Sequence, residues 1–241
     1  MVGRIRGLTR SQLTHGIAQV SLDLTNLDDA LRLAAVAVDA GADWLEIGTP
    51  LAISEGVRAA HALREAHPDH PIVADLKIMD GGYGESRVYG RAGVDAVVVM
   101  ARAHDATIER AADAAAEFDL LLMVDDMGST DAAEQARRIE SLGGGMVVHH
   151  LGHDHRRKHR DRGLSPLTDL PDVVAATQLP VEAVGGLSIE QAVGSVGLGA
   201  SVVVFGAPLA IAEEGSDPMP DDQLREVLGQ AIARVHGQAA G

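Results

Sequence analysis

The sequence predicts a (β/α)8 TIM barrel formed by residues 1–241 as a single domain. Three observations carry that expectation. Eight short runs rich in Val and Ile alternate with eight Ala-rich stretches whose apolar residues recur at i, i+3 and i+4. Glycine follows four of those stretches, in "AGAD" (40–43), "AGVD" (92–95), "LGGG" (142–145) and "GLGA" (197–200), where a left-handed C-cap belongs. The competing open, doubly wound sheet usually has fewer strands, and no Gly-x-Gly-x-x-Gly turn follows the first apolar run.

In chain order, "IAQVSLDL" (17–24) reads as the first strand and 27–40 as its helix. "DWLEIG" (43–48) precedes a helix over 54–66, and "PIVADLK" (71–77) one over 83–92. "DAVVVMA" (95–101) leads to 105–117, and "DLLLMVD" (119–125) to 130–142, with an N-cap expected from "ST" at 129–130. "GMVVHH" (145–150) is separated from a helix over 166–177 by a charged, irregular stretch, "LGHDHRRKHRDRGLSP" (151–166). "PVEAVG" (180–185) feeds 188–196, N-capped by Ser188. "ASVVVFG" (200–206) feeds 222–236 through the linker-like "EEGSDPMPDD" (213–222), read as a loop rather than a boundary.

Composition excludes several functions. A net charge of −15 repels nucleic acid and anionic lipid, so an anionic substrate must be held by a local site. No apolar run is long enough for a membrane span, and the N-terminus lacks the pattern of a signal peptide. The chain has no cysteine, which rules out disulfides and thiolate metal sites and fits a reducing cytoplasm. Nearly every cation is arginine. The only lysines are Lys77 and Lys158, so Lys77 inside a strand marks a place for a compact ammonium.

Barrel chemistry sits at the C-terminal strand ends. There the sequence places Asp23, Glu46, Asp75 with Lys77, Arg102 or His104, Asp125, and His149 with His150. Strands seven and eight end without charge in Gly185-Gly186 and Gly206-Ala207, glycine turns whose backbone N–H groups suit a phosphate. Asp75 and Lys77 are two apart and so face the barrel mouth together. Glu46 and Asp75, on adjacent strands, offer two oxygens of a Mg²⁺ site. Together these features suit a small phosphorylated metabolite.

These residues also carry a resemblance. "VADLKIMDGG" (73–82) is similar to the Asp-x-Lys-x-x-Asp signature of the orotidine-5′-phosphate decarboxylase superfamily. "QVSLDL" (19–24), "LEIGTPLAISEG" (45–56), "VGGLSIEQA" (184–192) and "VVVFGAPLA" (202–210) resemble the hexulose-6-phosphate synthase / 3-keto-L-gulonate-6-phosphate decarboxylase group, and the likeness spans almost the whole chain. "LKIMD" (76–80), "MVDDMGS" (123–129) and "HHLGHD" (149–154) look more like the synthase branch, while Leu151, His153 and Ala207 depart from the decarboxylase pattern. His153 also departs from the synthases, which commonly have an aromatic residue there, and "HDHRRKHRDR" (153–162) has no recognised counterpart.

The resemblance implies a Mg²⁺-dependent aldol lyase that forms an enediolate of D-ribulose 5-phosphate and adds it to formaldehyde. It puts Mg²⁺ on Glu46 and Asp75, Lys77 beside the developing oxyanion, and Asp23 and Asp80 around that lysine. Asp125 joins the catalytic set, His150 is the general acid/base, and Gly185, Gly186, Gly206 and Ala207 receive the phosphate. It also implies a homodimer in which Asp80 reaches the partner's site. Decarboxylation of a β-keto sugar-acid phosphate, or a barrel that only binds a sugar phosphate, are the alternatives. His149 is expected to face the helix layer in a structural role. The basic cluster Arg156 to Arg162 has two readings of equal weight, a solvated loop or a cover for an anionic substrate.

Overall fold

A computed structural model describes residues 9–10, 13, 15–206, 209 and 218–238. The strands are β1 (Ile17–Leu22), β2 (Trp44–Ile47), β3 (Ile72–Ile78), β4 (Ala96–Met100), β5 (Leu121–Asp125), β6 (Met146–His150), β7 (Val181–Val184) and β8 (Val202–Phe205). Each pairs in parallel with the next and β8 pairs with β1, closing the barrel as expected. The helices are α1 (Leu27–Asp39), α2 (Thr49–Glu55), α3 (Val57–Ala66), α4 (Gly82–Arg91) and α5 (Asp105–Phe118), then α6 (Ala132–Ser141), α7 (His153–Lys158), α8 (Leu170–Ala176), α9 (Ile189–Gly197) and α10 (Asp221–His236). Among the described residues no helix is long and apolar enough to cross a membrane.

Strand periodicity sorts the core into two bodies. One residue set packs between barrel and helices, for example Val20, Ile47, Ala74, Val99, Val124 and Val203. The alternate set fills the barrel, with Ile17, Trp44, Val73, Met123, Val148 and Val202 in contact. Two positions further along the same strands, this inward face turns polar. Trp44 is followed by Glu46, Val73 by Asp75, Met123 by Asp125 and Val148 by His150. An apolar plug thus floors a charged mouth.

Local expectations met mixed outcomes. Gly41, Gly93, Gly143 and Gly199 all take positive φ after their helices, and Ser188 caps α9 in a full capping box with Gln191. The helix expected over 54–66 is two helices, because Gly56 breaks the run at φ 57°. The cap of α6 is Asp131, whose side chain accepts from the Glu134 N–H, and not Ser129-Thr130. The helix expected over 166–177 shortens to α8, which starts at Leu170 with Pro171 in its first turn. The stretch 151–166, expected to be irregular, folds into α7 and a 3₁₀ turn at Arg160–Arg162.

The third strand departs from ideal geometry where the chemistry lies. Ala74 pairs with Val97 but Ile78 pairs with Val99, so β3 spends four residues where β4 spends two. Lys77 absorbs the excess at φ 47°, a left-handed conformation rare for a residue with a side chain. Asp75 faces inward by alternation from Val73, whereas Lys77 lies in a bulge and not in a plain strand.

Trp44 is the single tryptophan and lies fully inside the barrel plug. Trp44→Ala is expected to lower the unfolding free energy by about 3–5 kcal/mol through the cavity it leaves. Urea midpoints followed by circular dichroism measure the difference.

Candidate active site

The strand ends open into a cleft of about 920 Å³ lined by Asp23, Glu46, Asp75, Lys77, His150, Gly185, Gly186 and Gly206, among others. Lys77 Nζ donates to Asp75 Oδ2 at 2.5 Å and approaches Asp125 Oδ2 at 3.5 Å. Thr49 Oγ1 donates to the same Asp75 oxygen at 2.9 Å. His150 Nδ1 lies 2.8 Å from Asp125 Oδ2, and the Met127 N–H donates to Asp125 Oδ1 at 2.8 Å. A continuous chain, Thr49–Asp75–Lys77–Asp125–His150, therefore crosses the mouth from β2 to β6.

Burial and charge set the protonation of this chain. Burial alone would lower the Lys77 ammonium, but Asp75 and Asp125 outweigh it and hold the pKa above the ordinary lysine value. Burial would raise Asp125, yet His150 and Lys77 hold it below the usual carboxylate range. Glu46, buried beside Asp75 and Asp23, is pushed up to about 8, with desolvation the largest cause. Asp23 is raised for the same first reason. A side chain at Gly48 would overlap the Asp23 carboxylate, so the glycine of "LEIGTP" makes room for the acid of the first strand.

The Glu46–Asp75 pair fits a divalent cation by its chemistry. Asp75 Oδ1 is buried without a hydrogen-bond partner, and Glu46 receives one donor, Gln19 Nε2, at 2.5 Å. Two hard oxygens with spare lone pairs suit Mg²⁺ completed by water and substrate oxygens. Among the described residues no three His, Cys, Asp or Glu side chains stand close enough to form a protein-only metal cage.

Several expectations are corrected. Lys77 is held by Asp75 and Asp125, not by Asp23 and Asp80. Asp80 is exposed beyond the strand, where it accepts from the Gly81 N–H at 2.8 Å. Arg102 and His104 leave the mouth: Arg102 donates to the Gly128 carbonyl, and His104 caps α5. Gly206 stands beside Asp23, and Ala207 lies outside the described residues. His149 is buried, with Nδ1 2.7 Å from Asp126 Oδ2 and Nε2 3.1 Å from Asp169 Oδ1. Asp126 also accepts the His150 N–H at 3.0 Å, so this second network fixes the backbone of His150.

Thr49, Asp126, Asp169 and Glu182 escaped the sequence reading. Thr49 sits in a stretch already singled out, "LEIGTP", and Asp126 directly follows a strand-end acid. Glu182 is 3% exposed within β7, where burial raises its carboxyl well above the ordinary value. Its Oε2 has no hydrogen-bond partner. Its signal was a lone acid inside the apolar run "PVEAVG".

With this geometry in place, the chain matches the orotidine 5′-phosphate decarboxylase / HUMPS family over residues 18–214. Fold, mouth and relatives define a carbon–carbon lyase. The chain belongs to the orotidine 5′-phosphate decarboxylase / HUMPS family. The 3-hexulose-6-phosphate synthase of Mycobacterium gastri is 34% identical over 194 residues, 79% of this chain and 90% of that protein. The crystal structure of 3-hexulose-6-phosphate synthase from Salmonella typhimurium aligns with a TM-score of 0.79 at 29% identity, covering 91% of this chain and 100% of that one. That of 3-keto-L-gulonate-6-phosphate decarboxylase from Vibrio cholerae gives 0.75 at 29% identity, covering 92% and 99%.

The His149 network predicts a pH dependence of stability. Burial would lower the imidazole, but Asp126 and Asp169 raise it above its ordinary 6.5. Its contribution is complete below about pH 6.5 and fades as pH rises through the elevated folded value. The stability gap between the native chain and Asp126→Asn is therefore expected to be larger at pH 6 than at pH 9. Denaturant unfolding at the two pH values measures it, and equal gaps contradict the ion pair.

Proposed function

We propose that the chain is a Mg²⁺-dependent aldol lyase of the 3-hexulose-6-phosphate synthase type, joining formaldehyde to D-ribulose 5-phosphate. The observation that carries this reading is the Asp75–Lys77–Asp125–His150 chain, which shares its cleft with the Gly185-Gly186 turn. The 34% identity to the Mycobacterium gastri synthase supports it.

His150 Nδ1 is engaged by Asp125, which leaves Nε2 as the atom that faces substrate. In the proposed reaction Nε2 takes a proton from C1 of the ketose phosphate, and the electron pair moves onto the C2 oxygen as an enediolate. Lys77, fixed by two carboxylates, faces that oxygen with a positive charge that needs no reorganisation. C1 then bonds to the formaldehyde carbon, and His150 returns its proton to the former aldehyde oxygen. Mg²⁺ held by Glu46 and Asp75 would supply Lewis-acid polarisation of the carbonyl and hydroxyl oxygens. Gly185, Gly186, Gly206 and Ala207 are proposed to receive the phosphate.

A homodimer sharing its sites belongs to the same reading. Asp80 projects from the mouth next to Met79, which is 54% exposed, and Ile53 (81%) and Val88 (48%) share a shallow groove between α2 and α4. Apolar side chains this exposed suit coverage by a second copy. A second chemistry, decarboxylation, is favoured only by the equal 29% identity to the Vibrio cholerae decarboxylase structure.

Purified protein with D-ribulose 5-phosphate, formaldehyde and Mg²⁺ is expected to consume formaldehyde, and persistence of all the formaldehyde would sink the reading. Glu46→Gln is expected to cut the Mg²⁺-dependent rate by more than about 100-fold with the fold unchanged by circular dichroism. Because Glu46 must lose its proton to bind the cation, Mg²⁺ affinity should fall as pH drops below about 8. Isothermal titration at pH 7 and pH 9 tests that sign.

A further inference from the structure

One cation in the cleft makes no ion pair among the described residues. Arg156 lies on α7, its N–H bonded to the Gly152 carbonyl at 3.0 Å. Its guanidinium fills the space that a side chain at Gly186 would take. Its Nε is buried without a hydrogen-bond partner, and among the described residues its side chain makes no ion pair. Other arginines of this acidic chain find acids or carbonyls, as Arg64 does with Asp95 and Arg138 with Ala101 and Ala103. Arg156 as a whole is half-buried, but a buried guanidinium N–H left without an acceptor is costly unless something completes it.

The group it covers is suggestive in itself. Gly185 and Gly186 have φ of 132° and 65°, a backbone that side chains avoid. Their turn leads into α9, whose N-terminus is capped by Ser188. Both glycines and Arg156 line the cleft that also holds Lys77 and His150. A planar guanidinium over a glycine turn offers forked N–H donors to a tetrahedral anion, which an ammonium does not.

We propose that Arg156 is the cationic half of the phosphate grip, closing over the phosphate monoester of the substrate from the β6 side while the β7 turn holds it from below. This rests on the sugar-phosphate reading above and deepens it. It assigns α7, the segment without a recognised counterpart, to substrate binding, and it explains the glycine at 186, since any side chain there would expel the guanidinium. Arg156 is a binding residue and moves no proton.

The test compares the native chain with Arg156→Gln and Arg156→Lys. With ribulose 5-phosphate varied, Arg156→Gln should raise KM on the order of 10–100-fold. Its kcat should stay within about threefold and its KM for formaldehyde should not change, because only the phosphate end is touched. Arg156→Lys should recover part of the loss. Independently of turnover, inorganic phosphate should raise the melting temperature of the native chain and do so far less in Arg156→Gln. If Arg156→Gln proves unstable, Arg156→Met, which keeps the apolar stem, replaces it in both assays. Equal phosphate stabilisation of native and variant chains, or none in the native chain, overturns the proposal. A native chain that binds phosphate through Arg156 but leaves formaldehyde untouched defeats only the aldol reading.

Discussion

Lys77 Nζ lies 2.5 Å from Asp75 Oδ2 and 3.5 Å from Asp125 Oδ2, in a mouth that also holds Asp23 and Glu46. Burial, reinforced by neighbouring acids, raises the carboxyls of Asp23, Glu46 and Glu182. The ammonium is the shared counter-ion of Asp75 and Asp125, and with His150 it helps hold Asp125 below the usual carboxylate range. The bulge in β3 exists to deliver this one atom, since regular pleating leaves Lys77 no reason to adopt φ 47°.

Protonation across the mouth is set by burial and by which acids meet a cation. Asp125, touching both Lys77 and His150, is held below the ordinary carboxylate range. Glu46, buried and facing two other acids, is pushed up to about 8. Acids of one chemical type are thus split into an anion that orients a histidine and a carboxyl poised to exchange its proton for a cation. Such a split is what two different roles at one pH require.

Much of this was legible in the sequence because it follows from short-range rules. β-branched runs located every strand, and the polar residue at the C-terminal end of a strand located Glu46, Asp75, Asp125 and His150. What stayed hidden depends on closure of the barrel. That Lys77 pairs with Asp125, 48 residues away, is decided by the relative heights of β3 and β5 and by the bulge between Ala74 and Ile78. Glu182 looked like part of an apolar run because neighbouring strands, not its own, surround it with acids. Arg156 stood in a segment with seven basic or histidine residues at 155–160 and 162, where no periodicity distinguishes the one that points inward. The helix break at Gly56 and the Asp131 cap were missed for a milder reason, the ambiguity of where a helical period begins.

The extra length in β3 has a consequence for how the protein can change. Hydrogen-bonded register resumes at Ile78 opposite Val99, so the residues between Ala74 and Ile78 hang outside the ladder that keeps the sheet closed. Reactive groups carried on such a detour are largely uncoupled from the strand pairing that builds the barrel. A substitution at residues 75–77 therefore changes the mouth without removing a pairing between β3 and β4.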